Sequence, residues 1–319
     1  MNVLILGVNG FLGRAIARSA ANKGNEVFGL SRSQDPSPDS GITYVEGNRG
    51  DLEYVLEIIR NHKIDVLVDV IAMTLQDSRA LINAVDGQIG QYILISSSDV
   101  YRNYELFQKK SLGIPNQEAV QEDSELRQTR YPYRDIAARA IDSPDSYLDH
   151  YDKIPIENAA MEMSSQWTIL RLPMVYGAGD KQRRFRWAIK PMIDGNKNLV
   201  IPTRWANWYS TYGYIDNVAD GISLAIGNAN AENRVFNIGE NQSISQFEWA
   251  KRIAEVIGWR GDLVLTDESD DPFAQRVAHL DLSVPFRISS SRIREELGYK
   301  EAVRQVDALA RTVTSEGMS

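Results

Sequence analysis

Val3-Leu4-Ile5-Leu6-Gly7-Val8-Asn9-Gly10-Phe11-Leu12-Gly13 joins a short aliphatic run to an apolar-periodic one that continues to Asn22. Val3 to Leu6 reads as a buried parallel strand, because it is continuously apolar, short and stopped by glycine. Phe11 to Asn22 reads as a helix, with Phe11, Leu12, Ala15, Ile16, Ser19 and Ala20 at helical spacing. The three glycines between them are spaced GxxGxxG, not the GxGxxG of the ordinary dinucleotide fingerprint. A turn of this kind must reverse sharply, let backbone approach a pyrophosphate, and let the helix pack close to the strand. Each demand suits a residue without Cβ. The helix start then offers free N–H groups and a partial positive charge to phosphate. Gly7, Asn9, Gly10, Phe11, Leu12 and Gly13 are therefore candidate cofactor contacts. A purely structural glycine turn is the plainer alternative, and the strand–turn–helix context argues against it.

The same rhythm continues outward. Strands are expected at Glu26–Leu30, Ile42–Val45, Asp65–Val70, Tyr92–Ser96 and Trp167–Leu172, with a helix over Leu52–Arg60. Strands alternating with helices imply βαβ units, hence an α/β fold with a doubly wound parallel sheet of Rossmann type. Arg102 to Tyr151 breaks the pattern with charges, prolines and tyrosines of no clear period, and reads as a functional insertion at the carboxyl edge of the sheet. After Gly177 a helix is expected to open at Arg183 and run to about Asp194. Further elements are expected at Leu199–Pro202 (strand), Ile215–Ile226 (helix), Val235–Ile238 (strand), Gln246–Ile257, Ile293–Leu297 and Ala302–Val313 (helices). The expected division is a dinucleotide-binding domain over 1–176 plus about 207–234. A smaller C-terminal substrate-binding α/β domain takes about 177–206 plus 235–319.

Composition narrows the function. The chain has 319 residues with 43% apolar and 24% charged side chains, which is ordinary globular usage. A net charge of −8 argues against a general nucleic-acid binder and against attraction to anionic membrane. With no Cys, thiolate nucleophiles, thiolate metal sites and disulfides are excluded. The apolar start stops at Gly7, without the basic flank or cleavage site of a signal peptide, and no stretch approaches the ~20 apolar residues of a membrane span. A cytoplasmic protein is expected. His62, His150 and His279 are scattered, so no metal site is expected.

Three further segments carry a family likeness: Ile95-Ser96-Ser97-Ser98-Asp99-Val100-Tyr101, Leu170-Arg171-Leu172-Pro173-Met174-Val175-Tyr176-Gly177 and Tyr214-Ile215-Asp216-Asn217-Val218-Ala219-Asp220. Together with the glycine turn, they make the chain resemble an extended or atypical short-chain dehydrogenase/reductase of the NAD-dependent epimerase/dehydratase family. The resemblance implies a nicotinamide cofactor. An acidic residue ending the second strand favours NAD, and an arginine there favours the 2′-phosphate of NADP. Here the segment is Gly29-Leu30-Ser31-Arg32-Ser33, so NADP is preferred over NAD, with Arg32 as the phosphate contact. Asn48 and Arg49 are expected near the adenine, and Ile71, Ala72 and Pro173 complete the expected cofactor contacts.

The resemblance also implies a hydroxyl, a tyrosine and a lysine as catalytic groups. Ser97, three before Val100, matches the hydroxyl. Lys153 matches the lysine, with Glu157 four residues on. The usual tyrosine stands four residues before the lysine, so both share a helical face. That position here is Asp149. Tyr151, two before Lys153, cannot share its face within a helix. Pro155 lacks the N–H that would bond the carbonyl of Tyr151, so a helix beginning between these residues would free Tyr151 to reach the site. Tyr151 is the expected acid/base, with Tyr131 and Tyr133 as weaker candidates. A phenol has a pKa of about 10, and a neighbouring ammonium would lower it.

Ser98, Asp99, Met174 and Arg184 are candidate substrate contacts. Dehydratases of this family carry Asp-Glu after the hydroxyl. The pair here is Ser98-Asp99, which disfavours that reaction, and Met174 stands where sugar-nucleotide enzymes often carry Asn. Arg183, Arg184 and Arg186 read as an anion site or, more plainly, as a solvated helix face. The run Trp205, Trp208, Tyr209, Tyr212 and Tyr214 suits a pocket wall or domain packing equally. The expected activity is hydride transfer on a carbonyl or hydroxyl of a small molecule, by a reductase or an epimerase. A non-catalytic dinucleotide sensor is the alternative, and a homodimer is implied by resemblance.

Overall fold

A computed structural model describes residues 1–33, 39–134, 143, 145–268 and 270–317. The first half alternates as β1 (Asn2–Leu6), α1 (Phe11–Asn22), β2 (Glu26–Ser31), β3 (Ile42–Glu46), α2 (Leu52–Asn61), β4 (Val66–Asp69), α3 (Leu75–Val85) and β5 (Gln91–Ser97). The inserted region contributes α4 (Arg102–Phe107) and leads to α5 (Lys153–Met161), β6 (Gln166–Leu172) and β7 (Met174–Tyr176). There follow α6 (Arg186–Ile193), β8 (Asn198–Pro202), α7 (Thr203–Ala206), β9 (Tyr209–Ser210), β10 (Tyr212–Tyr214), α8 (Ile215–Leu224) and β11 (Arg234–Asn237). The chain ends through β12 (Ile244–Ser245), α9 (Gln246–Ile257), β13 (Asp262–Thr266), α10 (Pro272–Val277), α11 (Ser291–Leu297) and α12 (Gln305–Gly317).

Seven parallel strands form the central sheet in the order β11-β6-β5-β4-β1-β2-β3. Strand alternation divides the core. Val3, Ile5, Val66, Val68, Ile93 and Ile95 face α1 and α8, where Ile16, Val218 and Ile222 are buried. Leu4, Leu6, Leu67, Tyr92 and Leu94 face α2, α3 and α5, where Val55, Ile58, Leu81 and Ile156 are buried. The strand order reverses at β1, between β4 and β2, so the crevice past the carboxyl ends of β1 and β4 is where such a sheet takes a ligand.

Three expectations change. The strand expected at Val235–Ile238 is β11, which pairs with β6 in the main sheet. The division at 234/235 therefore cuts a strand that belongs to the first domain by its hydrogen bonds. The helix expected from Arg183 begins at Arg186, because Arg183 has a left-handed backbone (φ +46°). The third departure is α3, which forms where the sequence pattern predicts no element. The inserted region is fastened at both ends: Val120 bridges Ile288, Tyr101 bridges Leu126, and Thr74 bridges Tyr151. The aromatic run serves packing. Trp208 stacks on Phe107 at 4.9 Å, and Tyr212 lies 4.9 Å from Phe185 and 5.2 Å from Trp249.

Candidate active site

The glycine turn has the geometry its composition suggested. Gly7 sits at φ +87°, and a Cβ there would also lie 2.7 Å from Ile71 Cγ2. A Cβ on Gly13 would run into the Gly7 carbonyl, so α1 can approach β1 this closely only with glycine at that position. Gly10 is the N-cap of α1, and no side chain caps the helix. Asn9 donates from Nδ2 to the Ser33 carbonyl at 2.7 Å, tying the turn to the end of β2. Phe11 and Leu12 are half-buried, and Arg32 is exposed beside the Asn9–Ser33 contact. The uncapped helix start and the close-packed glycines suit the pyrophosphate of a dinucleotide.

The floor beyond β4 differs from expectation in one respect. The Arg49 guanidinium pairs with the Asp69 carboxylate, which is fully buried and also accepts Tyr92 Oη at 3.0 Å. Arg49 thus serves a buried ion pair, because an unpaired Asp69 at this depth would be costly. Asn48 is exposed, and its Oδ1 accepts the Gly50 N–H at 3.0 Å. The Ile71 N–H donates to Asp69 Oδ1, so the same carboxylate shapes the Ile71–Ala72 turn.

Tyr151 and Lys153 meet because α5 begins late. Asp152 is the N-cap and accepts the Ile154 N–H, Lys153 is the first helical residue, and Pro155 lies in the first turn. Lys153 Nζ donates to the carbonyls of Ala72 at 2.6 Å and Ile95 at 2.8 Å, bridging the ends of β4 and β5. It lies 5.6 Å from the Tyr151 ring centroid. Burial pushes the Lys153 ammonium down to about 8, against the opposing pull of Asp69 and Asp99. Ser97 ends β5, and its Oγ accepts the Asp99 N–H at 3.2 Å. Its hydroxyl is also within hydrogen-bonding reach of Tyr151.

Asp99 ties these groups together. Its Oδ2 accepts Tyr151 Oη at 2.9 Å and Tyr133 Oη at 3.0 Å. Burial raises the Tyr151 phenol well above its ordinary value, and the Asp99 carboxylate raises it further. The expectation of a phenol lowered by lysine is therefore corrected: the closest charge to Tyr151 Oη is negative.

Other expected residues are also placed. Ser98 and Asp99 are almost fully buried, in a short 3-10 turn after β5 that ends the strand's alternation. Pro173 is buried between β6 and β7. Met174 is half-buried against the cluster of Leu106, Phe107 and Trp208. Arg184 Nε donates to the Val175 carbonyl at 2.9 Å, so it braces the loop after β7 and is not a freely solvated cation. Tyr131 has a left-handed backbone, donates its N–H to Asp152, and lies under Arg134.

The chain is similar to known proteins over most of its length. Residues 3–134 match the NAD dependent epimerase/dehydratase family. "Chloroplast stem-loop binding protein of 41 kDa b, chloroplastic" of Arabidopsis thaliana is 21% identical, over 96% of this chain and 77% of that protein. "Probable low-salt glycan biosynthesis reductase Agl14" of Haloferax volcanii is 23% identical, over 97% of both. A short-chain dehydrogenase/reductase superfamily protein from Agrobacterium tumefaciens with bound NAD superposes with a TM-score of 0.70 at 18% identity, over 100% of this chain and 98% of that one. UDP-glucuronic acid 4-epimerase from Bacillus cereus in complex with NAD gives 0.68 at 18%, over 99% and 98%. At these identities the structural likeness establishes the fold.

Against the pattern that the resemblance implies, Ser97 and Lys153 stand at the hydroxyl and lysine positions, Asp149 stands four residues before the lysine, and Tyr151 is the tyrosine beside Lys153. Sequence reading ranked Tyr133 low and passed over Arg127 and Asp152. Arg127 donates from Nε to the Asp99 carbonyl at 3.0 Å and pairs with Asp152, the N-cap of α5. Nothing local marks these residues. They lie 25 positions apart and meet only when the insertion folds over the sheet edge.

Proposed function

We propose that the protein is a nicotinamide-dependent oxidoreductase or epimerase acting on a carbonyl or hydroxyl carbon of a small molecule. One observation carries this reading: Ser97, Tyr151 and Lys153 converge past the carboxyl ends of β4 and β5, beside the glycine turn. A nicotinamide dinucleotide supplies the hydride acceptor or donor. Gly7 to Gly13 and the start of α1 hold its pyrophosphate. Ser97 and Tyr151 hold the substrate oxygen by hydrogen bonds, fixing the carbon's distance and angle. Lys153 places positive charge under the site and locks β4 to β5. The low exposure of Tyr151 and Lys153 keeps water from the reacting carbon.

We favour NADP over NAD because Arg32 stands at the end of the second strand, where such folds meet the adenosine ribose, and Gly29–Ser33 contains no carboxylate. A homodimer and a cytoplasmic location complete the proposal. Light scattering and cell fractionation test these two parts.

The deciding experiment is a titration of purified protein with NADPH and NADH, followed by nicotinamide fluorescence. Saturable binding of NADPH, tighter than NADH, is expected. Binding of neither overturns the reading, and tighter NADH overturns the role of Arg32.

A further inference from the structure

Resting on the hydride-transfer reading above, we propose that Asp99 is the proton acceptor of this site and that Tyr151 relays the proton to it. The geometry gives three reasons. First, two phenols, Tyr151 and Tyr133, donate to one carboxylate oxygen. A phenolate at Tyr151 would place two negative charges 2.9 Å apart, so the charge rests on Asp99 and the proton on tyrosine. Second, Lys153 Nζ is bonded to the Ala72 and Ile95 carbonyls, and its position over the ring face is not a bond to the phenol oxygen. Third, Oδ1 of Asp99 is buried without a hydrogen-bond partner, although the rest of the carboxyl is held tightly. A carboxylate kept half-satisfied in a dry site is poised to take up a proton.

The step balances as follows in the oxidative direction. The substrate C–H bond breaks, and its hydrogen and electron pair pass to the oxidised nicotinamide dinucleotide. The substrate O–H proton goes to Tyr151 Oη as the C=O double bond forms. The proton formerly on Tyr151 goes to Asp99 Oδ2, which becomes neutral. Reduction runs the same transfers backward, starting from protonated Asp99.

Asp99 acts through Tyr151, which touches the substrate, and is the residue that holds the proton at the end of the relay. The titratable and charged groups facing it are Tyr151, Tyr133 and Tyr104, with Arg127 and Lys153 as the cations. Burial raises the Asp99 carboxyl above its ordinary value, while Arg127 and the phenol hydrogen bonds oppose the rise. Oxidation therefore requires a pH above the Asp99 midpoint, and reduction a pH below it.

The test starts on ligand-free protein. Asp carboxyl carbons are labelled with 13C and titrated by NMR, and Asp99 is assigned by its absence in Asp99→Asn. The expected midpoint lies above the ordinary value of about 4. It rises further in Tyr133→Phe, which removes a hydrogen bond to the charged form. With substrate, the acid limb of the oxidation rate follows the same midpoint. Asp99→Asn loses that limb and about 100-fold in kcat/KM at neutral pH, with dinucleotide affinity unchanged. A midpoint at or below the ordinary range, or an acid limb that persists in Asp99→Asn, overturns the proposal. Should Asp99→Asn fold poorly, Tyr133→Phe decides: the limb moves up, or the relay is wrong. Failure of the hydride reading itself shows separately, as absence of dinucleotide binding.

Discussion

The phenol of Tyr151 donates a 2.9 Å hydrogen bond to the buried carboxylate of Asp99. That pairing spans 52 positions of sequence and joins the start of α5 to the end of β5. It makes the tyrosine a hydrogen-bond donor with a raised pKa, so its role cannot be copied from a Tyr–Lys couple. Tyr151→Phe is expected to lower kcat/KM by about 100-fold and to leave dinucleotide affinity as it was. Steady-state kinetics set beside a fluorescence titration check both halves.

Lys153 links stability to pH. Its ammonium is pushed down to about 8 when folded, against 10.5 for the free group, chiefly by burial. Between these values the unfolded chain holds more protons than the folded one, so stability rises with pH. Relative to Lys153→Met, the wild type should gain roughly 3 kcal/mol across that window. Urea unfolding of both proteins from pH 7.5 to 10.5 measures it, and parallel curves would contradict it.

Glu240 gives the opposite sign. Burial pushes its carboxyl up to about 7 from 4.5, while hydrogen bonds from Tyr176 and Gln305 pull against the shift. The folded state holds more protons between those values, so stability falls as pH rises through them. Glu240→Gln should flatten this slope, a difference of roughly 3 kcal/mol between pH 4.5 and 7. Thermal melts at constant ionic strength read it out.

Arg127 and Asp152 form a buried ion pair that anchors the insertion to the N-cap of α5. Removing Arg127 leaves the buried Asp152 carboxylate with the exposed Arg130 guanidinium at 3.0 Å and the Tyr131 and Ile154 N–H groups, so Arg127→Ala should cost about 3 kcal/mol. Denaturant midpoints check the loss, and protease cleavage within the insertion should rise with it.

Gly13 permits the close approach of α1 to β1. Gly13→Ala pushes a methyl against the Gly7 carbonyl, and overpacking of this kind costs about 1–3 kcal/mol. Dinucleotide binding should weaken more than stability falls, because the displaced backbone is the cradle proposed for the phosphates. Comparing the shift in melting temperature with the shift in Kd separates the two effects.

Much of the fold was legible in sequence. The helices Phe11–Asn22 and Gln246–Ile257 were bounded correctly, and the strands of the first half fell within two residues of their observed ends. Those elements carry strong local signals: uninterrupted aliphatic strands, glycine stops and a clear helical period. The start of α5 followed from the missing N–H of Pro155. The β11 edge of the sheet was not legible, because β11 is short and its sequence does not say which strand it joins.

Sequence by itself determined the parallel α/β architecture, the phosphate-suited turn at Gly7–Gly13, and the candidacy of Ser97 and Lys153. Periodicity and backbone permissiveness are local properties, written within a dozen residues. Tertiary structure alone decided that Arg49 serves Asp69, that Lys153 bonds two strand ends, and that Tyr133 and Tyr151 share Asp99. The ionisation of each of these groups depends on burial and on charges distant along the chain, and only the folded chain brings those together.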